Sequence, residues 1–157
     1  MSQLVVRVDD RLVHGQVVVG WGRALRLRRL VLVDDEIRRS PWEQDLYRMG
    51  VPEGMALEFA SVTEAGAAFP RWAAEGGHTM VILGNVDTLV RLCAAAPVAC
   101  VNLGGLHAGE GRRERLPYVF LSDGELAQLR ALAARGVAVT AQDVPTARAV
   151  PLAELAA

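Results

Sequence analysis

The sequence contains no lysine; all 17 basic residues are arginine. That absence excludes chemistry that needs a primary amine on the chain. A Walker A phosphate loop, a pyridoxal-phosphate Schiff base and a catalytic lysine all fall away. Cysteine is almost as scarce. Cys93 and Cys100 stand alone, without C-x-x-C spacing, and are expected as two buried, reduced thiols. No G-x-G-x-x-G follows the first apolar run, so a dinucleotide site has no support, and the absence of G-x-S-x-G disfavours a serine hydrolase. The three histidines, His14, His78 and His107, are far apart and lack metal-ligand spacing. His78, in EGGHT, reads as a surface loop residue. No apolar run nears the length of a membrane span, and no secretory signal layout opens the chain, so a soluble, cytoplasmic protein is expected. A formal net charge of −1 gives no global field for nucleic acid.

What is present is a regular alternation. Strand-length apolar runs recur as LVVRV (4–8), LVLV (30–33), MALEFA (55–60), MVIL (80–83), VACVNL (98–103), YVFL (118–121) and VAVTA (137–141). Several are continuous and valine-rich, as in strands buried on both faces. Between them lie helical patterns, three of which start with serine three residues before glutamate: Ser40/Glu43, Ser61/Glu64 and Ser122/Glu125. Each predicts a capping box. Leu126, Leu129, Leu132 and Ala133 form a core stripe that Gly136 is placed to end, and Pro70 predicts a kink or break in the helix begun at Ser61. Trp21, Trp42 and Trp72 fall in helical segments and are expected as core or subunit-contact anchors. The predicted fold is α/β: an open, twisted, mainly parallel sheet with helices on both faces, a single domain over 1–157.

In such sheets ligands bind beyond the carboxyl ends of the strands. Here those ends carry Asp9-Asp10, Asp34-Asp35, Gly84-Asn85, Asn102 with Gly104-Gly105, and Ser122-Asp123. Asp34-Asp35-Glu36 reads as solvated or helix-start carboxylates. The densest charge lies in RVDDRLVHGQV (7–17). Arg11 is three residues before His14 on a tight loop, where its guanidinium can fork onto an anion beside the imidazole. Asp9 or Asp10 must lie close to Arg11 and is placed to orient a neighbour. Gly15 and Gln16 follow, with backbone N–H groups at a helix start. Imidazole, guanidinium and amides at one strand end suit a phosphoryl group. A second candidate, NLGGLHAGEGRRERL (102–116), combines glycines that allow close backbone approach with Arg112, Arg113 and Arg115, expected to help steer an acidic partner.

The segment R-V-D-D-R-L-V-H-G-Q-V resembles the active-site segment of the IIB subunits of the mannose/fructose/sorbose class of the bacterial sugar phosphotransferase system. The likeness continues through VDDEIRRSP, RMGVPEGM, SVTEA, the N-L-G-G turn and RGVAVTAQDVP. It departs from the pattern at LGNVDTL (83–89), which lacks the basic residue that relatives often carry there. The resemblance implies a phosphocarrier that takes a phosphoryl group from a IIA domain and passes it to a sugar moving through a IIC/IID membrane permease. By position, His14 is the phosphorylated residue, through Nδ1, and Arg11 stabilises the phosphoryl group. Asp10, Gly15 and Gln16 match neighbouring motif positions and take orienting and amide-donor roles. No metal, nucleotide or other cofactor is implied, and the protein is expected to be cytoplasmic and peripherally associated with the permease. The same site would serve a regulatory phospho-switch that never feeds a sugar. The identity of the sugar and a homo-oligomeric state stay open on sequence.

Overall fold

Alternation along the first strand organises the molecule. In the computed structural model, which describes residues 3–75 and 78–155, β1 (Gln3–Val8) is the central strand of a seven-stranded sheet. Its sheet partners are β2 (Arg29–Val33), β3 (Ala56–Ala60), β4 (His78–Leu83), β5 (Cys100–Leu103), β8 (Ala138–Ala141) and β9 (Val150–Pro151), in the order β3-β2-β4-β1-β5-β8-β9. All neighbours run parallel except the short edge strand β9, which is antiparallel to β8. The mainly parallel α/β sheet predicted from the valine-rich runs is therefore the fold.

Val6 and Val8 face one side of the sheet, with Val31, Val33, Val81, Leu83, Val101 and Leu103. Helices α3 (Val62–Ala74), α4 (Val86–Ala95) and α5 (Asp123–Ala134) cover this face, adding Phe69, Trp72, Leu89, Leu92, Leu126, Leu129 and Leu132. The other face carries Leu30, Leu32, Met80 and Ile82 beneath Val17, Val18 and Trp21. These last three belong to a π-helical segment, Gln16–Trp21, that runs into the single turn α1 (Gly22–Ala24). Each such fully buried aliphatic side chain contributes roughly 1.5–3 kcal/mol by leaving water.

Several expectations need correction. YVFL forms a strand, β7 (Val119–Leu121), but it pairs antiparallel with β6 (Arg113–Leu116) in a separate two-stranded sheet. Capping boxes close at Ser61 and Ser122, whose ψ angles of 166° and 163° aim the hydroxyl at the N3 amide. At Ser40, which precedes α2 (Pro41–Met49), ψ is 89° and no side-chain cap forms. Pro70 leaves α3 continuous from Val62 to Ala74, with its ring on the exposed side of the helix, outside the packed core. Cys100 is exposed and only Cys93 is half-buried. Ala133 is also exposed, while Gly136, at φ +98°, ends α5 as anticipated. Trp21 and Trp72 are core residues, whereas Trp42 is 67% exposed on α2. His78 is no loop residue: it opens β4, half-buried, with Nδ1 on the Leu25 carbonyl.

Helices α3 and α4 meet closely at Gly66, where an added Cβ would lie 2.8 Å from Ala95 Cβ and 3.1 Å from the Ala95 carbonyl oxygen. Neither atom belongs to a flexible side chain. Gly66→Ala should therefore lower unfolding stability by about 1–3 kcal/mol, despite the helix-propensity gain of about 1 kcal/mol that alanine brings. Urea denaturation of the two proteins measures the difference.

Candidate functional site

The apolar layer on the second face ends at Arg7, which pairs with Asn102 in the β1–β5 register. Arg7 has no exposed surface. Its guanidinium donates to Asn102 Oδ1, to the Gln142 carbonyl at 2.9 Å, to the Asp143 carbonyl at 3.0 Å and to Asp9 Oδ2 at 3.3 Å. Its Cζ lies 4.8 Å from the centre of the Trp21 ring, and the Trp21 indole N–H donates to the same Asp143 carbonyl. One cation thus joins β1, β5, the loop after β8 and the π-helical segment. Burial pulls Arg7 below its ordinary pKa, with the adjacent Asp9 acting against that fall.

Asp9 shares the parity of Arg7 along the strand, so its carboxylate reaches the same side. It too is fully buried. Oδ1 accepts from the Arg11 backbone N–H at 3.1 Å and from Arg11 Nε at 3.0 Å. Oδ2 accepts from Arg11 Nη2 at 2.9 Å and from Arg7, and it lies 3.4 Å from His14 Nε2. Burial would raise the Asp9 pKa. The bonds to His14 and Arg11 and the charge of Arg7 outweigh it, holding the carboxyl well below the usual carboxylate range. A charged carboxylate beside Nε2 favours the tautomer that carries its proton on that nitrogen.

The loop that carries these groups is a tight turn closed by Leu12 N–H on the Asp9 carbonyl. It forces Leu12 to φ +58°, a conformation costing on the order of 1–3 kcal/mol outside glycine. The buried Leu12 side chain, set against Gly84, holds it there. Backbone bonds from Asp9 to Leu83, from Asp10 to Gly105 and from Gly104 to Val8 fasten the loop to β4 and β5. Beneath it, Gly104 and Gly105 form a floor. An added Cβ at Gly104 would collide with Arg7 Nη2 and Asp9 Oδ2, and one at Gly105 would lie 2.9 Å from Arg11 Nε. These glycines give two guanidinium groups close approach to backbone.

His14 and Arg11 are therefore brought together, with side chains 19% and 30% exposed. Asp10 is not: its carboxylate turns to His107, and the contact to His14 belongs to Asp9. Gly15 is exposed at the start of the π-helical segment, with open space where a Cβ would stand. Gln16 begins that segment, and its side chain lies outside the described residues. The arginine cluster is committed to internal pairs. Arg112 forks onto Glu125, while Arg113 and Arg115 share Asp123, so the hairpin is pinned to the start of α5. Asp34 and Asp35 are also structural: Asp34 accepts from the Glu36 and Ile37 amides, and Asp35 caps α3 through the Val62 amide and pairs with Arg91. Arg7 and the two carbonyls after β8 were missed by sequence reasoning. Arg7 carried a signal, an arginine inside a continuous apolar strand; the carbonyls of Gln142 and Asp143 carried none.

The chain's course changes sides at β1, with β2, β3 and β4 on one hand and β5 and β8 on the other. An imidazole and a guanidinium, both on one carboxylate, stand at the carboxyl end of that strand, where this class of sheet binds its ligands. Residues 3–157 match the family described as the PTS system sorbose subfamily IIB component. The N-acetylgalactosamine-specific phosphotransferase enzyme IIB component 2 of Escherichia coli is 30% identical over 149 residues, 95% of each chain. The crystal structure of the corresponding IIB component 1 from Escherichia coli superposes with a TM-score of 0.86 at 30% identity, covering 96% of this chain and 98% of the other. The mannose-specific EIIAB component of Escherichia coli is 26% identical over 90% of this chain and 44% of its own length. The chain belongs to the sorbose subfamily of phosphotransferase-system IIB components. Members of that family are components of sugar-specific phosphotransferase systems.

Removing the Asp9 charge leaves Arg7 buried without its anion. Asp9→Asn should cost about 3–5 kcal/mol of stability at neutral pH, read by urea unfolding. Because the Asp9 pKa is depressed by folding, its contribution is complete above the ordinary value of 3.8 and fades as pH falls below it. The acid limb of the stability curve should accordingly be steeper in the unaltered protein than in Asp9→Asn.

Proposed function

We propose that this chain is a phosphocarrier in which His14 Nδ1 receives a phosphoryl group from a IIA phosphohistidine and hands it on to a sugar in a IIC/IID permease. The observation that carries this reading is the Asp9–His14 contact. A carboxylate at Nε2 favours the tautomer with its proton there, so the electron pair for a new bond lies on Nδ1 of a ring 19% exposed. In the transfer the Nδ1 pair forms the new N–P bond, while the donor's N–P bond breaks and its pair returns to the donor imidazole. No proton need move in that step.

Arg11 is the group placed to meet the transferring charge. It lies on Asp9 through Nε and Nη2, next to Asp143 at 3.9 Å, and keeps 30% of its side chain exposed. A guanidinium beside a loose, anionic phosphoryl is worth most as charge redistributes over the equatorial oxygens. Gly15 and Gln16 supply backbone N–H groups at a helical start without a side-chain cap. Asp10 supports the phosphoryl loop through the neighbouring strand connection and not through the imidazole.

A protein donor is supported by the flanks of the site. A groove of about 630 Å³ is lined by Gly15, the residue after His14, with Val19, Gly20, Val144 and Pro145. A second hollow is lined by Val13, the residue before His14, with Trp42 and Leu46 of α2, whose apolar side chains are exposed. The mannose relative, whose name joins A and B units, supports a IIA domain as that donor. No described helix is long and apolar enough to cross a membrane, in keeping with a single domain working at the cytoplasmic face and meeting the permease peripherally.

The test is labelling by a phosphorylated IIA donor, followed by mass spectrometry and onward transfer to sugar in permease-containing vesicles. His14→Ala should accept no stable phosphoryl on histidine. Stable label on that variant contradicts the assignment. Arg11→Ala should slow transfer by about 10²–10³-fold while changing donor affinity far less, and Arg11→Lys should not restore the forked contact.

A further inference from the structure

The two adjacent aspartates of the site loop hold two different histidines, through opposite ring nitrogens. Asp9 takes Nε2 of His14, and Asp10 takes Nδ1 of His107 on the connection after β5. The second contact is built from both sides of one residue. Asp10 Oδ2 accepts the His107 backbone N–H at 2.8 Å while Oδ1 engages the ring. The His107 carbonyl accepts from Arg112 Nη1 at 2.9 Å, and Arg112 forks onto Glu125 at 3.0 and 2.9 Å. Glu125 is in turn the capping partner of Ser122 at the start of α5. A continuous chain of bonds thus runs from a helix start to the loop between Asp9 and Arg11.

Core packing does not explain His107, because its side chain is 66% exposed. Its position does. Asp10 N–H bonds the Gly105 carbonyl at 2.8 Å, and Gly104 and Gly105 are the floor against which the Arg7 and Arg11 guanidinium groups lie. Between β5 and His107 stand only Gly104, Gly105 and Leu106. Main-chain bonds already tie Gly104 to Val8 and Gly105 to Asp10, and Leu106 is buried and bonded to Tyr118 and Phe120. The Asp10–His107 contact adds a side-chain tie between this glycine-rich connection and the site loop.

Resting on the phosphocarrier reading, we propose that His107 is a positioning residue for phosphoryl transfer: through Asp10 it clamps the β5 connection, and so the glycine floor under Arg11, to the loop bearing His14. A floor that shifts by about 1 Å carries Arg11 with it, and misplacement on that scale can cost on the order of 10²-fold in rate. Docking of a donor depends on a wider surface and should feel the shift little.

The experiment compares unaltered protein, His107→Ala and His107→Asn, whose side-chain NH₂ can donate to Asp10 as Nδ1–H does. Two quantities are read: the transfer rate against concentration of phosphorylated IIA donor, and hydrogen exchange of the Asp10 amide. His107→Ala should lower the saturating rate about tenfold, move the half-saturating donor concentration less than twofold, and speed Asp10 exchange about tenfold. His107→Asn should recover most of both. An unchanged saturating rate or unchanged exchange in the alanine variant overturns the proposal, as does an asparagine variant no better than alanine. Label on His107 in place of His14 overturns it as well. If the unaltered protein takes no label on His14, the phosphocarrier reading fails and the transfer role of His107 with it, while the exchange comparison still decides whether the clamp exists.

Discussion

A carboxylate with no solvent contact stays charged only when its surroundings supply the hydrogen bonds and opposite charge that water would have given. Asp9 meets that condition with two arginines and a histidine, and the rest of the site follows from how they are brought to it. Arg7 supplies a permanent buried cation, Arg11 an adjustable one, and His14 a ring whose orientation is set by the shared oxygen. Neither Arg7 nor Asp9 would be tolerable alone at this depth. Together they fix the ends of β1, β5 and β8 relative to one another, so the same pair that holds the sheet's edge defines the reactive geometry.

This arrangement also sets an enclosed guanidinium apart from a partly exposed one. Arg7 is enclosed and bound to two main-chain carbonyls, an asparagine and an indole face. Arg11 bonds the same carboxylate from a partly exposed position. On the proposed phosphocarrier function, an arriving dianion would compete with Asp9 for Arg11 and leave Arg7 in place. Asp9 would then keep a counter-charge while Arg11 met the phosphoryl group, and the imidazole would keep its orientation. The strained turn at Leu12 belongs to the same design, since it brings Arg11 back over the strand end from which Asp9 projects.

Much of this was legible in the residues. Valine-rich runs separated by capped helices led to the parallel sheet, and the R-V-D-D-R-L-V-H spacing brought Arg11 and His14 to one strand end. The choice between Asp9 and Asp10 was legible only through strand parity: Arg7 and Asp9 are two apart and share a face, while Asp10 falls on the turn. Other features left no local trace. The carbonyls of Gln142 and Asp143 act through main chain, so no side-chain identity reveals them. YVFL has the composition of a sheet-core strand, yet pairs in a small hairpin because the arginine-rich segment before it folds back on it. Those arginines looked like free positive charge until the fold placed Glu125 and Asp123 against them.

The central claim is that Asp9 holds the proton on His14 Nε2 so that Nδ1 does the chemistry. Nitrogen-15 NMR of histidine-labelled protein, before and after phosphoryl transfer from a IIA donor, reads both nitrogens directly. The predicted result is a His14 tautomer with its proton on Nε2 before transfer, and phosphorus coupling at Nδ1 after it. A ring protonated at Nδ1 beforehand, or phosphorus on Nε2 afterwards, would contradict it.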